Sequence, residues 1–509
     1  MADLEEEQQL TRSPSHDSLF GSVSDESSNL ERSDVSTPQS SLETTLIDTC
    51  DHKDDEETLD DASLIPPSWL TDDPTCGLTW AKDGVSLYPK WAFEPTIESI
   101  VATLKSALGC AQEYIVRFLH EGTLSKLYDV RLDDRSFIMR VSLPVYPRLK
   151  TEAEVATLNW VDQYIPLPVP RVKAYDSSQD NPLGFEWILM TKLEGRPLSE
   201  CWEAVTLGSK ERLVKQIAAF SASAFHQLFS GGIGSIYEGP CNADGYSYVV
   251  GEVVSMASFW GKYAGDTHRR LGPFSDAAGW ARSRLQSALS SLQMRLDDAA
   301  DADERETLQR MADLTRRIES LMSAFYPDIN DPLTHGSRER ESISESAEAM
   351  PLRTMLHHDN LSLDNILVND DGIFTGVLDW QCITCLPLHE SCEFPAFLQQ
   401  AYDRFKEPIF KNYMLDDDGA LHPAYFRDRR RYEITRLRRL YIEEMMHRAP
   451  GFVDIWRSER GFDLRDYEAA VQNCDNEFTV GIVESWVQAV ESGREPAKVR
   501  KRLHELLAA

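Results

Sequence analysis

Residues 354–381, TMLHHDNLSLDNILVNDDGIFTGVLDWQ, group side chains whose types and order could carry out a reaction. A loop bearing His357, His358 and Asp359 leads to Asn365, six residues beyond Asp359. Ile366, Leu367 and Val368 then read as a strand, Asn369-Asp370-Asp371-Gly372 as a turn, and Gly376-Val377-Leu378 as a second strand ending in Asp379. A hairpin of that kind sets Asn365 and Asp379 side by side at its open end. Two hard oxygen ligands on neighbouring strand ends, with positions left for water and phosphate, suit Mg²⁺.

The whole string resembles the catalytic and metal-binding hairpin of the aminoglycoside phosphotransferase and choline kinase families, relatives of the protein kinases. Those families carry a His-x-Asp loop, then an Asn, then an Asp on the next hairpin strand. The matching residues are His358, Asp359 or Asn360 as catalytic group, and Asn365 and Asp379 as metal ligands. Trp380 follows the metal Asp where protein kinases have Phe-Gly, and no APE-like activation segment comes after it. The resemblance implies an α+β, protein-kinase-like fold of two lobes: a small antiparallel-sheet N-lobe with one main helix, and a large, mainly helical C-lobe. It also implies ATP and Mg²⁺ as cofactors and a hydroxyl of a small molecule as acceptor.

The sequence departs from the family at one position. The catalytic Asp of the family lies five residues before the metal Asn, and here that place is Asn360, with Asp359 six before. Either the loop shifts by one residue and Asp359 reaches the acceptor, or Asn360 holds the position and takes no proton. Phosphoryl transfer leans on positioning and charge neutralisation, so a weak base slows the reaction without abolishing it. An ATP-dependent small-molecule kinase is therefore the expectation, and a catalytically weak or inactive kinase-fold binding protein is the alternative.

Such a hairpin must be positioned by two lobes, and the sequence supplies both patterns. YIVRFLHEG, SKLYDVRLDD and RSFIMRVSLP are short runs rich in β-branched and aromatic residues, read as an antiparallel meander with a turn at Asp133-Asp134. TEAEVATLNWVDQYI has helical spacing, and GFEWILMTKLEGRPL reads as a buried strand running to a turn at Gly195. By the same resemblance, Arg140 stands for the phosphate-contacting strand cation and Glu154 for its partner on the helix, with Glu152 as a rival. Gly122, Ser125 and Lys126 fall at the tip of the nucleotide-covering hairpin, and the backbone from Met190 to Leu193 in the inter-lobe linker would pair with adenine. This gives an N-terminal lobe over 66–198, opened by the helix IESIVATLKSALG, and a C-terminal lobe over 199–509 built on long amphipathic helices. FHQLFSGGIGSIY resembles a stretch of fungal members of the family.

Residues 1–65 hold 18 acidic and 3 basic residues in a Ser-rich setting with few aromatics, a composition expected to form a disordered acidic tail. SRERESISESAEAM, residues 337–350, reads as a mobile loop. The net charge of the 509 residues is −32, which repels phosphate backbones and anionic lipid, so neither nucleic acid nor membrane is expected as a partner. Without an apolar run long enough to span a bilayer, or a secretory or transit pattern, the chain is read as cytoplasmic. The 9 cysteines are read as reduced thiols, including Cys382, Cys385 and Cys392, whose spacing with His389 is compressed relative to ordinary zinc sites. The arginines from Arg427 to Arg439 are read as a solvated or inter-helix face, because Glu433, Glu443 and Glu444 accompany them. The acceptor and the oligomeric state are not legible.

Overall fold

The structure is a computed structural model that describes residues 74–83, 86–109, 113–240, 247–259, 271–327, 352–399, 403–415, 419, 422–493 and 502–507. The acidic segment 1–65 and the polar stretch 337–350 lie outside the described residues.

The N-terminal lobe opens with a hairpin of β1 (Leu78–Asp83) and β2 (Ser86–Trp91), then α1 (Ile97–Leu108). Thr96 caps α1 by accepting from the Ser99 N–H, and Gly109, at φ 61°, ends it in the left-handed region. The expected meander follows as β3 (Ile115–Glu121), β4 (Ser125–Leu132) and β5 (Arg135–Ser142). Next come α2 (Leu149–Tyr164), β6 (Val172–Asp176) and β7 (Glu186–Thr191). The five strands form one antiparallel sheet in the order β3-β4-β5-β7-β6. Side chains alternate across it. Tyr128, Val130, Met139, Val141 and Leu189 face α1, whereas Ile138, Ile188 and Met190 pack against Val155 of α2.

The chain leaves the sheet after Thr191 and enters the C-terminal lobe through β8 (Arg196–Pro197) and α3 (Leu198–Cys201). The long apolar periodicities become α4 (Leu207–His226), then, after β9 (Ile236–Glu238) and β10 (Tyr248–Val250), α5 (Ala277–Asp298) and α6 (Ala302–Phe325). Four short strands follow: β11 (Thr354–His357), β12 (Ile366–Val368), β13 (Phe374–Val377) and β14 (Thr384–Pro387). The lobe closes with α7 (Leu388–Ser391), α8 (Pro423–Arg448), α9 (Pro450–Arg457), α10 (Glu459–Gln472), α11 (Val480–Glu491) and α12 (Leu503–Leu507). This is the two-lobed α+β architecture expected from the sequence. No helix among the described residues is long and apolar enough to cross a membrane.

One core joins α4, α8 and the strands β11 to β14 through Ile217, Phe220, Val377, Trp380, Leu437 and Tyr441. A second is built by α5, α6, α10 and α11. The arginines of α8 meet carboxylates, as in Arg429 with Glu433, Arg436 with Glu211 and Arg438 with Asp403. Lys210 and Glu433, both buried, lie 2.6 Å apart between α4 and α8 and fix how the two helices meet. Such a pair adds little net stability because desolvation offsets the attraction.

Candidate active site

The hairpin expected to carry the metal ligands forms as its sequence implies. β12 and β13 pair antiparallel with Ile366 opposite Val377, and the Leu378 N–H donates to the Asn365 carbonyl at 2.8 Å, so Asn365 and Asp379 leave the hairpin at the same end. Asp379 adopts φ 60°, a left-handed conformation uncommon for a residue with a side chain. Trp380 behind it is 1% exposed, donates from its indole N–H to the Val377 carbonyl at 3.0 Å, and meets the His358 ring edge-on at 4.8 Å. This packing holds the strained turn in place.

Three residues chosen from separate sequence segments converge here. Arg140, on β5, has its Nη1 2.8 Å from Glu154 Oε1 on α2 and 3.5 Å from Asp379 Oδ1 on the hairpin. Burial pulls the guanidinium pKa down, but Glu154 and Asp379 outweigh it and hold it above its ordinary value. Glu152, the rival to Glu154, instead accepts from the Ser177 hydroxyl at 3.2 Å, away from Arg140.

His358 is buried, its Nε2 3.3 Å from the Leu378 carbonyl. Burial lowers its pKa against the pull of Asp379, and burial takes His357 down to about 4. Burial thus disfavours the charged form of both rings. Asp359 is exposed to water, yet the surrounding chain partly desolvates its carboxyl. That desolvation raises its pKa to about 6, the Asn360 N–H opposes the rise, and repulsion from Asp379 adds to it. Asp379 thus acts on the Asp359 carboxyl. Asn360 is exposed and offers its carbonyl to Asn365 Nδ2 at 2.9 Å. With Nδ2 engaged, Asn365 Oδ1 is left to act as a ligand. An amide oxygen beside a carboxylate is a donor set that fits Mg²⁺.

The nucleotide-covering hairpin needs one correction. Ser125 pairs with Ser142 and Leu127 with Arg140, whereas Lys126 pairs with Val141. Ser125 therefore shares the face of Arg140, and Lys126 points to the opposite, α1 side. There it makes ion pairs with Glu94 and Glu121 and lies 5.4 Å from the Trp91 ring. Adjacent strand residues cannot both enter the cleft. Gly122 closes the turn by donating to the Ser125 carbonyl at 2.8 Å, and Leu124 at the tip packs with Ala153, Phe259 and Cys382.

The linker needs a second correction. Met190 pairs with Ile138 on one side and Val172 on the other, so it belongs to the sheet and not to a free adenine-binding edge. The chain leaves the sheet at Lys192 and Leu193. Leu193 lies over Gly376, where an added Cβ would come within 2.5 Å of it, and the Thr375 hydroxyl donates to the Glu194 carbonyl at 2.6 Å. The lysine that does face the cleft side is Lys192, 2.8 Å from Asp129. Strand alternation counted from Arg140 would have found Asp129.

Cys382, Cys385 and Cys392 are buried thiols, and burial raises all three pKa values, that of Cys382 to about 12. Among the described residues the only group of three or more His, Cys, Asp or Glu side chains close enough to share a metal ion is His389, Glu390 and Glu468, without a cysteine. The Arg284 guanidinium and the Tyr326 hydroxyl both bond to Glu468 there, which marks a charge-balanced core network.

Comparisons with known proteins give the chain relatives and a family. The chain is 28% identical over 313 residues to a subtelomeric hrmA-associated cluster protein of Aspergillus fumigatus, covering 55% of this chain and 59% of that protein. It is 22% identical over 415 residues to altered inheritance of mitochondria protein 9, mitochondrial, of Saccharomyces cerevisiae, covering 73% and 64%. The chain thus spans less than two thirds of either relative. Among solved structures, aminoglycoside phosphotransferase APH(4)-Ia is matched at 13% identity and a TM-score of 0.39, over 77% of this chain and 99% of that one. The sequence model of the phosphotransferase enzyme family, APH, matches residues 115–390, a span that includes Arg140, Glu154, Asp359, Asn365 and Asp379. This chain belongs to the phosphotransferase enzyme family.

Proposed function

We propose that this protein is an ATP-dependent phosphotransferase acting on a hydroxyl group of a small molecule. The observation that carries the reading is the convergence of Arg140, Glu154 and Asp379 from sheet, helix and hairpin, within 3.5 Å of one another through the Arg140 guanidinium. Arg140 neutralises and orients nucleotide phosphates, and Glu154 holds its fork in position. Asn365 and Asp379 hold Mg²⁺, which supplies charge neutralisation when bound. Asp359 accepts the proton of the acceptor hydroxyl, and its raised pKa suits a base working near neutrality. His358 stays neutral and fixes the loop to the hairpin through the Leu378 carbonyl. Lys192 and Leu193 border the adenine end.

The competing reading, a silent kinase fold that binds without turnover, rests on Asn360 standing where the family has its base. Calorimetric titration with Mg·ATP, paired with an ATP-consumption screen over hydroxyl compounds, separates the two. Asp379→Ala is expected to abolish metal-dependent nucleotide binding while leaving the melting temperature within a few degrees of wild type. Unchanged metal dependence in that variant refutes the assignment of the hairpin.

A further inference from the structure

Lys150 lies one helical turn before Glu154 on α2, so the two side chains share a helix face. It is 1% exposed, and its Nζ is buried without a hydrogen-bond partner. Ser142 Oγ, Glu154 Oε2 and Arg140 Nε are likewise buried and unpartnered nearby on β5 and α2. The charge of Lys150 acts on two groups, the Glu186 carboxylate and the Cys382 thiol. Glu186 already accepts from the Arg148 N–H at the start of α2, and no ion pair joins it to Lys150. Leu149 and Ala153, on either side of Lys150 in α2, pack with Cys382, three residues beyond Asp379, and with Leu124 of the hairpin tip. Lys150 therefore borders the recess in which Glu154, Asp359 and Asp379 meet.

That recess sets Glu154, Asp359 and Asp379 against the single guanidinium of Arg140, and a nucleotide brings further negative charge into it. A buried ammonium without a hydrogen-bonded counter-ion is strongly unfavourable, so retaining one is physically reasonable where an anion joins it. We propose that Lys150 is a nucleotide-contacting residue whose ammonium receives the terminal phosphate of the bound nucleotide, an assignment that rests on the phosphotransferase reading above. A compact ammonium on a flexible stem can follow a phosphoryl group as it moves, whereas the rigid fork of Arg140 cannot.

The test is calorimetric titration of wild-type, Lys150→Met and Lys150→Arg chains with Mg·ATP, Mg·ADP and adenosine. Loss of a charge-assisted contact to the terminal phosphate is expected to weaken Mg·ATP binding by about 10- to 100-fold in Lys150→Met. Mg·ADP should lose much less, adenosine nothing, and Lys150→Arg should restore part of the preference. Lys150→Gln serves as a second neutral variant should the methionine chain fail to fold. Equal losses for Mg·ATP and Mg·ADP overturn the terminal assignment, and an unchanged preference for Mg·ATP over adenosine overturns any phosphate contact by Lys150. A wild-type chain that itself shows no preference for Mg·ATP refutes the phosphotransferase reading, and this assignment with it.

Discussion

Replacing Asp359 by asparagine separates a base from a bystander, because it changes activity and stability in opposite directions. In the folded chain the Asp359 carboxyl is raised from its ordinary value near 3.8 to about 6, mainly by desolvation. A carboxyl raised on folding favours the native state below its unfolded pKa, and that contribution is lost as pH rises through the folded pKa. Above pH 6 the ionised Asp359 is therefore a burden on the fold. Each pH unit of displacement corresponds to about 1.4 kcal/mol for a sealed group. Water reaches this one, so the effect is discounted to roughly 1 kcal/mol. Asp359→Asn should accordingly be about 1 kcal/mol more stable than wild type at pH 7, with the gain shrinking between pH 6 and pH 4. Urea unfolding at pH 4, 5, 6 and 7 measures it. Turnover of Mg·ATP with acceptor should fall by about two to four orders of magnitude in the same variant. Wild-type turnover should decline below pH 6, at a lower pH when Mg²⁺ is saturating, since a cation near Asp379 favours the ionised form. Retained turnover, or a stability difference that does not vary with pH, refutes the placement of Asp359 as base. Higher turnover in Asn360→Asp would transfer the role to that position.

Glu154→Gln removes the charge facing a buried guanidinium and leaves Arg140 with Asp379 alone. Unfolding free energy should drop by about 3 kcal/mol, and the Mg²⁺ concentration giving half-maximal nucleotide binding should rise as Arg140 competes for Asp379. An unchanged metal requirement in calorimetry counts against that competition. Gly195→Ala places a Cβ 2.7 Å from the Val368 carbonyl at φ 117°, and should cost about 2 kcal/mol or more in chemical denaturation. A neutral result means that the linker is not seated on the hairpin as described.

The parts of the fold legible in the sequence were those whose signal is local. The helical spacing of TEAEVATLNWVDQYI marked α2, and the ordered string from His358 to Asp379 marked a hairpin whose strands carry β-branched and aliphatic residues. Arg140 and Glu154 are 14 residues apart, on a strand and the next helix, so a local pattern could pair them. What stayed hidden was decided by pairing between distant segments. The face of Lys126 depends on its register with β5, and the exclusion of Met190 from the adenine edge depends on β6 arriving beside β7. Lys150 carries no sequence mark that separates it from an exposed helix lysine. Its helix neighbours Leu149 and Ala153 pack with Cys382, more than 200 residues away, a contact no local pattern shows.

The seat of the linker on the hairpin has a mechanical consequence. Glu194 is bonded to Thr375, Leu193 rests on Gly376, and Arg196 and Pro197 form a strand with Val368 and Leu367. On the other side of β6, Pro168 is bonded to the hairpin as well, its carbonyl accepting the Val377 N–H at 3.0 Å. The strand pair β6–β7 is thus held against the hairpin at both of its chain ends, by Pro168 before it and by Leu193 and Glu194 after it. A shift at the edge of the sheet therefore reaches the hairpin from two directions at once, and neither end of the strand pair can move without drawing on it.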